Sequence, residues 1–411
     1  MEVLVIGGGV IGVCSAYYLT GAGCQVTLID KGKVGLGCSY GNAGLIVPSH
    51  SIPLAATGVP LKALRWMLNP ESPFYIKPRL SWDLARWLWG FARSCTPKKV
   101  GKAIPIIRDL SLASLELYRE LAALKSFDFG FHHDGLLMVF RTKEGYEEGI
   151  REARMLAEAG LSNDVLDREA ARQLEPSLLP GVPGAVLYRD DGHVTPSLFV
   201  PGLAALAERK GVQIREETEV LGFRASGRRI TVVETTKGTF TPDVVILAAG
   251  SWTPQLAAQL QLRVPIQAAK GYSITFERLD FPRIPLALME AKMAVTPMGN
   301  WLRFAGTLEL AGLDFTVNRR RVEAICSAAQ HYMGGTESLK MVEIWRGLRP
   351  CTPDGLPIIG RSQQFENMIL AAGHAMIGLS LGPITGKVVA EIALGQQPSV
   401  DVRPLSPSRF N

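Results

Sequence analysis

The first thirty residues constrain this chain more than any other part of it. Val3-Leu4-Val5-Ile6 is a short, wholly apolar run of the kind that forms a buried parallel strand. Gly7-Gly8-Gly9-Val10-Ile11-Gly12 follows at once as G-x-G-x-x-G and opens a helical stretch from Val10 to about Thr20. Gly7 permits the tight turn, Gly9 lets backbone N–H groups approach a pyrophosphate, and Gly12 lets the helix pack closely on the strand. An anion then sits at the helix N-terminus, where unpaired N–H groups and the helix dipole favour negative charge. After Gly21-Ala22-Gly23 a second strand, Gln25 to Ile29, ends at Asp30. Its carboxylate is positioned for the ribose hydroxyls of an adenine dinucleotide.

That fingerprint does not by itself separate NAD, NADP and FAD, although an acid at the end of the second strand repels a 2′-phosphate. Two further elements decide. An apolar strand running into glycine, Val244 to Gly250, lies far downstream, and a third glycine-rich element, Gly373-His374-Ala375-Met376-Ile377-Gly378, lies near the C-terminus. The return of the chain to such elements points to FAD.

Composition sets the outer limits. At 411 residues and 47% hydrophobic content, the chain exceeds the usual single-domain size and has ample material for two cores. The net charge of +6 suits an anionic cofactor, an acidic substrate or an anionic membrane surface alike. The one dense basic run, Arg319-Arg320-Arg321, reads as the solvated start of a surface helix, so nucleic acid is not expected as a partner. Six cysteines lie far apart with no C-x-x-C pair, and the histidines show no ligand-like spacing. No metal site and no disulfide framework are expected, and a reducing cytoplasm fits. The opening strand leaves no room for a secretion signal, and no stretch approaches the roughly 18 apolar residues of a membrane span. Any membrane attachment is then peripheral, on the inner face of the cell membrane.

Five ordered stretches resemble the D-amino-acid oxidase-like flavoenzymes, and among them the bacterial D-amino-acid dehydrogenases of the small-subunit type. They are Cys38-Ser39-Tyr40-Gly41-Asn42-Ala43-Gly44, Val59 to Met67, Lys270-Gly271-Tyr272-Ser273, Gly347-Leu348-Arg349-Pro350 through Asp354-Gly355, and Gly373-His374. The resemblance runs nearly end to end. It implies an α/β fold in which a Rossmann-like FAD-binding domain is interleaved with an α+β substrate domain built on a mixed, largely antiparallel sheet. The expected division gives 1–48, 146–225, 241–262 and 341–411 to the FAD-binding domain, and 49–145, 226–240 and 263–340 to the substrate domain. Strand-like patterns at 227–240, 266–275 and 300–306 agree with a β-rich second domain.

What the resemblance implies chemically is oxidative deamination. Hydride passes from the substrate Cα to the flavin N5, and water hydrolyses the resulting imine to a 2-oxo acid and ammonia. Electrons then go to a quinone or to oxygen. Arg349 occupies the family's carboxylate-binding position, where a guanidinium fork grips both oxygens. Tyr272 either assists that contact or packs within a sheet. Arg303, alternating with apolar neighbours, points to the cavity or to solvent. His374 either exchanges protons or shapes the turn that brings backbone N–H groups to the flavin. His50 touches a ligand or sits in a surface loop.

The expected FAD contacts are Gly7, Gly9, Val10, Ile11, Gly12, Asp30, Lys31, Ser39, Asn42, Ala43, Gly44, Val220, Ala249, Gly250, Trp252, Gly347, Gly373, His374, Ile377 and Gly378. Cys351 stands closer to Asp354 than a flavin-linking cysteine would, so the FAD is expected to be noncovalent, with Cys351 and Cys38 serving packing. Met376 and Ile377 stand where some relatives with small substrates carry a second arginine, which weighs against a glycine-oxidase activity. Cyclic imino acids such as D-proline or a hydroxyproline, or glycine- and sarcosine-like amines, are alternative substrates. A flavin-bearing subunit of a larger electron-transfer assembly is the alternative outside that class. Two basic, tryptophan-bearing amphipathic segments, Leu61 to Leu68 and Ser81 to Cys95, either dock on a membrane or cover the substrate domain, with Leu84, Leu88, Phe91 and Cys95 forming one stripe.

Overall fold

The computed structural model describes residues 1–56, 72, 74–278 and 280–410. Two large sheets organise it. The first has six strands in the order Ile358–Arg361, Met368–Ala372, Val244–Leu247, Glu2–Ile6, Gln25–Ile29, Gln213–Arg215. All its pairings are parallel except that of the two C-terminal strands. Alternation along the first strand sends Val3 and Val5 into one core, beneath the helices Val10–Gly21, Pro196–Arg209 and Gly382–Ala393. Leu4 and Ile6 enter another, shared with Val220, Ile230 and Val233 of a three-stranded meander. Buried on both faces, these strands read as continuous apolar runs, as parallel strands do.

The second sheet has nine strands and is mixed, with antiparallel pairings predominating. Its long strand Gln267–Glu277 lies between Met341–Cys351 and Trp301–Leu310. The α/β class and the mixed second sheet agree with expectation, and the strand patterns at 227–240, 266–275 and 300–306 correspond to the strands Arg229–Thr235 and Gly238–Phe240, Gln267–Glu277 and Trp301–Leu310.

The segment boundaries differ. Asn163–Asp167, Gly184–Tyr188 and Met341–Cys351 were expected with the flavin domain but pair into the nine-stranded sheet. Helix Pro97–Ala122 and the strands within 226–240 were expected with the substrate domain but pack on the first sheet, through Ile107, Leu110 and Tyr118 on one face and Ile230 and Val233 on the other. Alternation identifies a strand without naming its partner, because pairing is settled by contacts distant in sequence.

Arg319-Arg320-Arg321 does open a helix, Arg319–Gln330, but Arg321 is not solvated. It is 3% exposed, ion-pairs with Glu309 through Nε at 2.8 Å, and donates from Nη1 to the Ser72 carbonyl at 2.7 Å. Lys270, equally buried, joins Glu309 and Asp314 at 3.3 Å each. Buried cations such as these are held by partners far away in sequence, which a local run of charges does not reveal.

Candidate active site

The dinucleotide elements meet as their spacing predicts. Helix Val10–Gly21 starts with Gly9 at its N-cap, and that residue supplies no side-chain cap, so N–H groups of the first turn beyond Val10 are offered to an anion. Gly12 has no alternative here, since a Cβ would lie 1.8 Å from the Gly7 carbonyl oxygen. Asp30 accepts from the Gly8 N–H at 2.6 Å and the Gly32 N–H at 2.7 Å, which fixes its carboxylate at the end of the second strand. Lys31 places its ammonium 3.8 Å from the Trp252 ring centroid, so two expected contacts from distant segments stand together just past that strand. Ala249 and Gly250 form the turn leading to Trp252, Gly250 in the left-handed region, while Val220 is buried in the meander.

The loop 38–44 closes over this region. The Ser39 hydroxyl accepts from the Val10 N–H at 3.0 Å. Asn42 accepts from the Gly44 N–H at 2.9 Å and donates from Nδ2 to the Met376 carbonyl at 3.3 Å, joining the loop to the C-terminal glycine element. Arg303 reaches neither cavity nor solvent. It is 4% exposed and donates from Nη1 to the carbonyls of Tyr40 at 2.8 Å and Asn42 at 3.2 Å, pinning the loop to the nine-stranded sheet.

Beside the nine-stranded sheet lies a cavity of about 860 Å³, bounded by Asn42 and Ala43, by Gly347 and Arg349, and by Met376 and Ile377. Trp345, Gly347 and Arg349 alternate along one strand, so all three face it. The Arg349 guanidinium lies over Gly271 on the neighbouring strand and donates to the Thr307 carbonyl. Its walls are mainly apolar, with Ile52, Trp87, Leu88 and Phe91 among them. Burial lowers the Arg349 pKa from its ordinary value, partly offset by Cys38 and Cys351, and the side chain stays cationic at neutral pH.

Not every expected residue arrives. Tyr272 is on the other face of its strand, 1% exposed among Ile274 and Phe304; its hydroxyl accepts from the Asn318 N–H at 3.2 Å. The period of two that brings Gly271 to the cavity takes Tyr272 away from it. His374 is buried with Nε2 3.0 Å from the Thr385 hydroxyl, and burial holds it at about 3, so it stays neutral. Its Nδ1 is buried without a partner among the described residues. Gly373 and Gly378 flank it in the turn, Gly373 at φ +82°. His50, by contrast, lines the cavity with its Nδ1 3.2 Å from the Ser49 hydroxyl.

Thr307 is among the cavity residues that carried no sequence signal. It stands at φ +62°, where a β-branched residue is strained, and its hydroxyl is buried without a partner among the described residues. It sits where the pairing with 270–272 slips register, a bulge that alternation cannot reveal. The helical stripe expected at 81–95 turns inward, with Leu84 and Phe91 buried and Leu88 and Cys95 packed beside them. Trp82 and Trp89 are exposed. The companion segment 61–68 and the matching stretch 59–67 lie outside the described residues.

The fold and this cavity define a flavoenzyme. The family described as FAD dependent oxidoreductase matches residues 2–392, and the chain belongs to it. The chain is 35% identical over 417 residues to a D-amino acid dehydrogenase of Cereibacter sphaeroides, covering 100% of this chain and 95% of that protein. It is 33% identical to another from Granulibacter bethesdensis, with both chains covered completely. Among solved structures, glycine oxidase from Geobacillus kaustophilus superposes with a TM-score of 0.81 at 25% identity, covering 99% of this chain and 98% of that one. L-proline dehydrogenase from P. horikoshii superposes with a TM-score of 0.78 at 22% identity, covering 100% and 97%.

Proposed function

We propose that this chain is an FAD-dependent D-amino-acid dehydrogenase, producing a 2-oxo acid and ammonia and passing electrons to a quinone or another acceptor. The observation that carries the reading is Arg349, a fixed guanidinium in the wall of a mainly apolar cavity beside the dinucleotide loops. A buried cation with no carboxylate partner among the described residues suits an anionic ligand, and a planar fork suits a carboxylate. The shared name of the Cereibacter and Granulibacter relatives supports the substrate class.

When bound, FAD supplies the acceptor that takes hydride at N5. The chain's own residues hold the rest in place. Gly7, Gly9 and Gly12 leave room for the pyrophosphate, Asp30 faces the ribose, and loop 38–44 with Gly373 to Gly378 holds the flavin end. Arg349 anchors the carboxylate, Ile52, Trp87, Leu88 and Phe91 contact the side chain and exclude water, and His50 receives the proton that the substrate ammonium loses before oxidation. His374 shapes its turn rather than exchanging protons, consistent with its bond to Thr385.

Noncovalent attachment is supported by Cys351, which is fully buried with its thiol pushed up to about 12, and by Cys38, pushed up to about 11. Neither is a ready thiolate. Exposed Trp82 and Trp89 beside Arg86 and Arg93 support a peripheral contact with an anionic membrane surface, where a quinone would be met. Among the described residues no helix is long and apolar enough to cross a membrane.

The test is anaerobic mixing with a panel of D- and L-amino acids, cyclic imino acids and simple amines while recording flavin absorbance. Bleaching by D-amino acids supports the reading. Bleaching by L-isomers or glycine-like amines alone refutes the substrate, and no bleaching at all favours a partner subunit without turnover of its own.

A further inference from the structure

Behind His50, a residue of the cavity wall, runs a hydrogen-bonded chain of which the proposed reaction has used only the histidine. His50 Nδ1 is 3.2 Å from the Ser49 hydroxyl, which donates to Asp191 Oδ2; the Ser49 N–H donates to Asp191 Oδ1 at 3.0 Å. Asp191 has no solvent exposure and Ser49 has 2%. A fully buried carboxylate gripped twice by one residue beside a cavity-lining histidine is costly to maintain, and so calls for a reason. The carboxylate comes from the turn following strand Gly184–Tyr188, and the serine and histidine from the segment that leaves loop 38–44. The arrangement exists only in the tertiary fold.

We propose that Asp191, acting through the Ser49 hydroxyl, decides which nitrogen of His50 carries its proton, and that the three side chains relay the substrate ammonium proton from the cavity to a buried carboxylate. This rests on the amine-oxidising reading above. In the starting state Asp191 is ionised, Ser49 donates to it, and Ser49 accepts from His50 Nδ1–H, leaving the Nε2 lone pair for the cavity. The ammonium N–H bond then breaks as an Nε2–H bond forms. The Nδ1 proton passes to the Ser49 oxygen while the hydroxyl proton of Ser49 passes to Asp191 Oδ2. The products are a neutral amine, a neutral imidazole protonated on Nε2, and a carboxylic acid. One positive and one negative charge have cancelled, and no electrons have moved.

The surroundings favour this direction. Burial and then the nearby Lys292 hold His50 down at about 4, so the proton does not rest on the imidazole. Burial raises Asp191 to about 8 against the two Ser49 hydrogen bonds, with Asp190 adding to the rise, so the carboxylate accepts a proton readily. Among the described residues, the other titratable groups facing this corner are Tyr188 on the preceding strand and Glu148 and Glu152 on helix Lys143–Glu158. Glu152 is itself pushed upward by burial. Ser49 and Asp191 are positioning residues here, since neither lines the cavity.

The experiment combines histidine-selective ¹⁵N NMR of the holoenzyme, with His50 assigned from H50Q, and the pH profile of kcat/KM. Wild type is expected to carry the His50 proton on Nδ1 above pH ~8 and on Nε2 below it, with kcat/KM rising through the same pH. Asp191→Asn keeps the shape: its amide oxygen accepts from the Ser49 N–H, so its NH2 faces and donates to the Ser49 hydroxyl, which then donates to His50 Nδ1. His50 is therefore expected with its proton on Nε2 at every pH. The rising limb should move up to that of the amine itself, with a loss of ~10²-fold at pH 8. Ser49→Ala breaks the chain and should move the limb in the same way, which covers the case of an unfolded Asp191 variant. An unchanged tautomer in Asp191→Asn, or an unmoved limb in both variants, overturns the relay. The tautomer is read without substrate, so its failure is distinct from a flavin that no D-amino acid reduces.

Discussion

Replacing Gly271 with alanine would displace Arg349 while leaving the arginine itself in the sequence. Gly271 lies in strand Gln267–Glu277, hydrogen-bonded on both sides, and a Cβ there would stand 2.3 Å from the Arg349 Cζ and Nη1 and 2.4 Å from Nη2. Ordinary contact needs ~3.5–4.0 Å, so the guanidinium must retreat by ~1.2 Å or more. It is the tip of a flexible side chain and can retreat without disturbing the strands, so the melting temperature should stay near that of wild type. A misplacement of ~1 Å in a positioning group costs ~10²-fold, which corresponds to ~2.7 kcal/mol of transition-state binding. The assay is kcat/KM for the best D-amino acid of the panel, measured beside the amine that lacks its carboxylate. G271A should lose ~10²-fold on the amino acid, mostly through KM, and almost nothing on the amine. A folded G271A enzyme that keeps its full preference for the amino acid would refute Arg349 as the carboxylate anchor.

Gly12→Ala puts a Cβ 1.8 Å from a backbone oxygen that has no free rotamer to move, so it should destabilise the fold by ~1–3 kcal/mol and leave most purified protein without flavin, read as absorbance per polypeptide. Asp191→Asn should change the pH dependence of stability. The folded pKa of Asp191, about 8, lies above that of an unfolded aspartate, so its contribution is complete below pH ~4 and is lost as pH rises through 8, at ~1.4 kcal/mol per pH unit. Between pH 5 and pH 8 the variant should therefore gain on wild type by a few kcal/mol; an equal melting difference at both values would refute the buried, neutralisable carboxylate.

The parts of the site that a sequence can spell out are those made by neighbours. Gly7 to Gly12 and Asp30 lie within one strand-helix-strand unit, so spacing alone fixed their geometry, and the glycine at 12 is demanded by a carbonyl only five residues away. Arg349 was found through its motif, and alternation from Gly347 gives its direction. What the sequence could not decide is which faces meet. Tyr272 was readable as a strand residue, yet a shift of one position separates the cavity from the core. Arg303 could be read as facing cavity or solvent, and Arg321 as solvated, because the carbonyls of Tyr40 and Asn42 and the carboxylate of Glu309 that hold them come from other segments. Strand pairing gave 163–167, 184–188 and 341–351 to the second sheet for the same reason. Asp191 stands 142 residues from Ser49 and carries no motif; only the tertiary fold buries it and brings it to Ser49, and through Ser49 to His50. Local periodicity and turn chemistry determined the dinucleotide half of this enzyme, whereas the substrate half was decided by long-range pairing, because desolvation and charge partnership are properties of the assembled chain.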